Sequence, residues 1–251
     1  DRERGREKPQ IKDRALNEQI YDVFGYGGLS QEIVAYLFEL LEESDIDRVR
    51  LFKRLHDFYQ RWCQNEFLDA HPDENLPQKK LWQLREQEIP TGLKQVDVFT
   101  GLNVMIVLFK LHAAAQPVGY PDLPQDTPRP DIWFHPCGAP ETEDFDDHRL
   151  LNIIHYAGAL GLATFAETVG PHLSRVDLSG AFLYGTFLDS ANLSSAFLYS
   201  TFLDSAFLCK ANLDKANLDS AILDSANLYD TNLSSASLCD ANLSSANLYS
   251  A

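Results

Sequence analysis

The residues of this chain that come nearest to a chemical motif are His135 and Cys137, in the run Phe134-His135-Pro136-Cys137-Gly138. A thiol near an imidazole can act as a thiolate nucleophile or ligate a metal, provided a third group orients the histidine. The surroundings oppose this. Glu141, Glu143, Asp144, Asp146 and Asp147 follow closely, and neighbouring carboxylates raise a thiol's pKa. The segment is therefore read as structural rather than nucleophilic, redox-active or metal-binding. Two further pairs, His56 with Cys63 and His148 with His155, are seven residues apart and can share a helix face. Zinc needs three or four converging ligands, so these pairs are read as core or surface residues. Trp62 and Trp82 fall on apolar stripes and are assigned to the core. Gly25, Gly27 and Gly28 precede no Lys-Ser or Lys-Thr pair, so no phosphate-cradling loop is predicted. No catalytic residue, cofactor or metal ligand is assigned, and the chain is read as a non-enzyme.

Composition narrows the partners. The 251 residues carry a formal net charge of −16, which repels phosphate backbones and anionic headgroups. Direct nucleic-acid and membrane binding are disfavoured on that ground. Cys63, Cys137, Cys209 and Cys239 show no C-x-x-C spacing, so neither a zinc ribbon nor a disulfide framework is suggested and a reducing cytoplasm fits. The uncharged stretch from Leu150 to Ala166 is short for a membrane span and contains Asn152 and His155; it is read as a buried helix. The charged start resembles no signal peptide, and the missing initiator Met leads us to expect a trimmed or processed chain.

The elements that would hold these residues are helical up to residue 170. Residues 1–13 are charged without apolar periodicity and are expected to be a flexible arm. From Arg14, Ile20, Val23 and Phe24 form a short stripe, and Ser30 is placed to N-cap Ile33-Val34-Leu37-Phe38-Leu41. The clearest periodicity joins Ile46, Val49, Phe52, Leu55, Phe58, Tyr59, Trp62 and Cys63, with Ser44 and Asp47 spaced like a capping box. Pro77 suits the first turn of a helix that Pro90 ends, and a further helix is predicted over 92–115. Seven prolines in 117–140 exclude helix and central strand. A last helix over 146–168 should stop at Gly170-Pro171. The reading is an all-α domain over 14–170 with a Pro-rich loop at 117–140.

At Pro171 the period becomes five. Leucine occupies Leu173, Leu178 and every fifth position to Leu248, sixteen times in all. Two residues earlier lies a small residue, Ala in eleven cases and Thr at Thr186, Thr201 and Thr231, as in Ala-Asn-Leu at 211–213. Neither a 3.6-residue helix nor a two-residue strand keeps such a stripe on one face, so the segment must be a solenoid.

The A-[DN]-L-x-x unit resembles the pentapeptide-repeat family over 171–251. That resemblance implies a right-handed quadrilateral parallel β-helix of about four coils, with leucine and the small residue inward, joined to the N-terminal α-helical domain. It places residues twenty apart in vertical columns. His172, Asn192, Asn212 and Asn232 form one, Phe182, Phe202, Ile222 and Asn242 another, and Phe187 with Phe207 begins a third. Phe182, Phe187, Phe197, Phe202 and Phe207 stand where the family usually carries Asn or Asp, and should form an apolar patch that something covers: the helical domain, a partner or a second copy. Asp204 and Asp224 stack among the eight acids of a repeat region that nets −5. These seven residues are the candidate interaction surface. The expected function is that of a non-catalytic scaffold binding an unidentified protein, with homo-oligomers through the C-terminal coil as one mode. The alternative is an acidic DNA mimic acting on a type II topoisomerase, as some members of the family do.

Overall fold

A computed structural model describes residues 13–116, 131–140 and 142–251. The charged arm up to residue 12, most of the Pro-rich loop and Glu141 lie outside the described residues. The helices are α1 (Asp13–Phe24), α2 (Gln31–Glu43), α3 (Arg48–Cys63), α4 (Leu76–Glu86), α5 (Leu93–Ala115), α6 (Arg149–Gly158) and α7 (Thr164–Thr168), followed by a 3-10 turn, Gly170–His172.

α5 is the axis of the helical domain. It is apolar on all sides and buried from Val96 to Phe109 at nearly every position, with α1, α3 and α4 packed around it. Among the described residues it alone is long and apolar enough to cross a membrane; here helices surround it. Close approach is possible at Gly101, where a Cβ would overlap the Trp62 indole. Two buried polar groups on α5 fix its neighbours. Asp97 accepts hydrogen bonds from Tyr21 (2.6 Å), Trp62 (3.0 Å) and Tyr156 (3.0 Å), joining α1, α3 and α6. Asn103 donates to the carbonyls of Phe24 and Gly27 and accepts from the Leu29 amide, pinning the loop before α2.

Several helix ends follow the expected chemistry. Ser30 caps α2 through the Ile33 amide, and Pro77 lies in the first turn of α4 behind the cap residue Asn75. Others differ. The capping box does not form: Asp47 caps α3 through the Arg50 amide, while the Ser44 hydroxyl turns back to the Leu41 carbonyl and closes α2. The expected 146–168 helix breaks into α6 and α7, because Gly158 and Gly161 weaken the stretch between them and turn hydrogen bonds replace the helical ones there. The expected stop at Gly170-Pro171 is a 3-10 turn. Trp82 is 60% exposed rather than core, since α4 buries the face of Pro77, Lys80, Leu81 and Leu84, about 100° away.

Beyond residue 172 the chain winds into a column. Parallel bridges join residues twenty apart, from Asp177↔Phe197 to Asn227↔Asn247, each an isolated bridge rather than part of a longer strand. Chain geometry explains this departure from the expected strands. From Leu178 on, each leucine carbonyl accepts from the amide three residues on, as in Ala216 N–H to Leu213 at 3.0 Å, so a β-turn closes every fifth residue. The third residue of each turn has positive φ, as at Ser190, Ser195 and Ser220. Between two such corners the central residue of each face bridges the turns on either side, and the corner residues add one amide bond each, as Ser195 N–H to Asp214. Asn212, for example, donates its N–H to Ala191 (2.9 Å), and its carbonyl accepts from Leu193 (2.8 Å).

The shaft is lined mainly by apolar side chains. Leucines from Leu173 to Leu228 and the alanines facing them are almost wholly buried. The threonines that replace alanine satisfy their hydroxyls on main-chain carbonyls: Thr186 on Leu183, Thr201 on Leu178 and Thr231 on Leu208. Towards the last turn the interior opens, and Leu248 is exposed.

Candidate interaction surface

The twenty-residue register decides which side chains meet. Phe182 and Phe202 stack with ring centroids 4.1 Å apart, and Phe187 and Phe207 at 4.7 Å. The two pairs occupy neighbouring faces, as their spacing requires. Phe197 bridges Asp177 and Asn217 and is only 8% exposed. Phe207 is the most open of the five at 39%.

The helical domain covers part of this patch. The His148 imidazole stacks on Phe182 at 4.4 Å, which extends the column by one ring. Main-chain carbonyls of the domain stand where a preceding turn would be: Asp147 accepts from the Phe182 amide (3.0 Å) and Gly170 from the Asn192 amide (2.9 Å). The domain thus caps the first turn. Its ring contact with the patch is on the 182 column, and Phe207 on the 187 column stays 39% exposed.

A second aromatic set lies at the corners and was not singled out from sequence. Tyr184, Tyr199, Tyr229 and Tyr249 each follow an inward leucine, and all four are exposed. Tyr229 and Tyr249 stack at 5.6 Å, on the corner next to Phe187 and Phe207. The signal was present, since an aromatic one place after the leucine must point outward once the phase is fixed. The acids are less regular. Asp204 and Asp224 share a corner column with Tyr184 above and Ser244 below, so the acidic run there is two residues long. The polar ladder runs Asn192, Asn212, Asn232 through side-chain amides. His172, expected at its head, is instead buried in the 3-10 turn.

His135 and Cys137 meet the solenoid without facing each other for catalysis. The His135 Nδ1 accepts from the Cys137 main-chain N–H (3.1 Å), so Nε2 carries the proton and donates to the Ser179 carbonyl (3.1 Å). The Cys137 thiol points to the Asp147 carbonyl, and burial pushes its pKa up to about 12. Cys63 is raised to about 12 by the same cause. Each is a thiol, not a thiolate, at neutral pH. His56 packs between Phe52 and Phe134. His148 lies close to Asp146 and Asp147 on the surface, its main-chain N–H on Asp146 and its ring on Asp147. A cavity of about 360 Å³ between α3 and α6 is lined by Cys63, Arg149, Asn152 and Tyr156. Arg149 is turned to the Asp144 carbonyl, and burial holds the Cys63 thiol of the lining protonated.

Residues 172–208, 198–228 and 221–251 match the family model for pentapeptide repeats. Comparison with curated proteins finds no match. Among solved structures, HetL, a pentapeptide repeat protein involved in heterocyst differentiation regulation from the cyanobacterium Nostoc sp. strain PCC 7120, is 36% identical over 30% of this chain and 35% of its own, with a TM-score of 0.30. A pentapeptide repeat protein of the Arabidopsis thaliana thylakoid lumen is 31% identical over 30% of this chain and 51% of its own, with a TM-score of 0.29. Rfr23 from the cyanobacterium Cyanothece 51142 is 34% identical over 27% and 56%, with a TM-score of 0.14. The chain spans about a third to about half of the length of these proteins.

Proposed function

We propose that the pentapeptide-repeat segment, residues 172–251, is a protein-binding column and that the chain acts as a non-catalytic scaffold in the cytoplasm. At twenty residues a turn this segment makes about four coils of a right-handed square helix, ~19 Å tall at strand spacing. The observation that carries the reading is the aromatic strip that the helical domain leaves open. Phe207 and the stacked pair Tyr229 and Tyr249 run down one edge of the column. Exposed tyrosine and phenylalanine on a rigid backbone are the side chains that anchor protein interfaces, because they bury much area at little entropic cost. The buried, protonated thiols give no support to an enzyme.

The test replaces the strip by residues the repeat tolerates: Phe207→Asn, Tyr229→Ser and Tyr249→Ser. Cross-linking in native lysate with quantitative mass spectrometry should show partners held by the wild type and lost from the triple variant, with both folding alike. Identical partner sets would sink the proposal. The DNA-mimic alternative rests on Asp204 and Asp224 and is read separately, by a gyrase supercoiling assay with Asp204→Asn and Asp224→Asn. A second copy abutting the last turn would cover Leu248, and light scattering detects it.

A further inference from the structure

The helical domain carries a second apolar surface, independent of the repeat column. α2 is apolar over more than half of its circumference, with its glutamates gathered on the remaining arc. At 100° a residue, Val34, Phe38 and Leu41 form one stripe and Ile33, Tyr36 and Leu40 another. The first faces the domain: Val34 is buried, Phe38 and Leu41 half-buried. The second faces out, with Ile33 50%, Tyr36 60% and Leu40 44% exposed. A helix that is apolar on both sides belongs in a core or an interface. Ile33, Tyr36 and Leu40 have the i, i+3, i+7 spacing with which one helix seats another.

Charge says what kind of helix. From Ser30 to Asp47 there are six acids, Glu32, Glu39, Glu42, Glu43, Asp45 and Asp47, and no lysine or arginine. Glu32, Glu39 and Glu43 lie along one border of the outward stripe, beside Tyr36. Two α2 stripes packed antiparallel would set these acids against their copies, and the negative charge gathered around each stripe disfavours self-association in either direction. Residues 1–12 contain a single large apolar side chain, Ile11. We infer that α2 is a docking site for a basic amphipathic helix of a partner protein, its apolar residues on Ile33, Tyr36 and Leu40 and its lysines or arginines against the glutamates.

The probe is a synthetic helix with leucines at i, i+3, i+4 and i+7 and lysines elsewhere, followed by fluorescence anisotropy on the whole chain. We expect saturable binding that weakens with salt, and binding at least about tenfold weaker for the same peptide with glutamate in place of lysine. Ile33→Ser with Tyr36→Ser and Leu40→Ser should weaken binding about tenfold or more at unchanged helicity and Tm, because all three side chains are exposed. The single Tyr36→Ser provides the same reading in part should the triple variant fold poorly. Glu39→Gln with Glu43→Gln should flatten the salt dependence. Unchanged binding to both serine variants would show capture by net charge elsewhere and overturn the inference. So would equal binding of the glutamate peptide, or a wild-type dimer in light scattering that the serine substitutions convert to monomer.

Discussion

Leu213 and Asp214 are neighbours in sequence with opposite duties. Leu213 is wholly buried in the shaft, and Asp214 lies at a corner with an exposed partner in Lys215. Removing the Leu213 side chain leaves a cavity between rigid turns, so Leu213→Ala should cost ~2–5 kcal/mol in urea denaturation. Asp214→Ser should cost under ~0.5 kcal/mol. Equal effects would mean that the inward register is wrong. The buried carboxylate of Asp97 allows a second test at this scale. Desolvation raises its pKa, against which three hydrogen bonds favour the charged form. Asp97→Leu leaves the Tyr21 and Trp62 donors without their buried acceptor, at roughly 2–5 kcal/mol. Asp97→Asn should cost less, because the amide oxygen keeps one side and a rotated tyrosine hydroxyl can accept from the amide nitrogen. A reversed order would show that the amide's own buried N–H donors, facing other donors, cost more than the lost acceptor.

At the scale of the element, each corner of the column needs a left-handed residue, and the chain fills most corners with serine. Non-glycine residues there store strain of about 1 kcal/mol or more, and a β-branched side chain is worse. Ser220, at φ 58°, makes this testable. Ser220→Val should destabilise by ~1–3 kcal/mol, while Ser220→Gly should be near neutral, since relief of strain offsets added chain entropy. If both were neutral in thermal melts, the corner would not be the strained step of the repeat. These corners also mark where the sequence was hard to read. The leucine period was legible because the inward position tolerates one residue type, and the phenylalanine columns follow from it by arithmetic. The corner position accepts Ser, Gly, Lys, Asp and Arg alike, so composition did not reveal its φ. In the helical domain the stripes were legible, but which stripe finds a neighbour was not. Trp82 and the outer face of α2 look like core by spacing and are exposed, because periodicity fixes a face and says nothing about what packs on it. His148 on Phe182 joins residues 34 apart in sequence, a contact no local pattern announces.

The whole molecule depends on the junction where the helical domain meets the first turn, and buried histidines concentrate there. His112 on α5 contacts Gln116, which reaches the Arg175 carbonyl, and His172 forms the last residue of the 3-10 turn. Burial lowers both pKa values to about 4. The charges around them do not reverse this: Asp177 opposes the shift at His112, Arg175 adds to it, and Lys110 adds to it at His172. In the unfolded chain both would titrate near ~6.5. As pH falls below that value the unfolded chain takes up protons that the folded chain refuses. The stabilisation is therefore complete above pH ~6.5 and is lost progressively towards pH ~4, with a slope of up to ~2.7 kcal/mol per pH unit for the pair. The paired carboxylates Glu18 and Glu66, held low by Lys79 and Arg61, lose their contribution only below the ordinary carboxylate range. Asp97, raised by burial, works in the opposite direction. His56, lowered by burial between Phe52 and Phe134, adds to the fall from pH 6.5 to 5, so the two junction histidines carry a part of it. Urea denaturation from pH 6.5 to 5 should show stability falling, and His112→Gln or His172→Asn should each make the slope shallower while lowering stability at pH 7.5. A profile that stays level between pH 6.5 and 5, or a slope unchanged in both variants, would show that the junction opens to admit protons without unfolding.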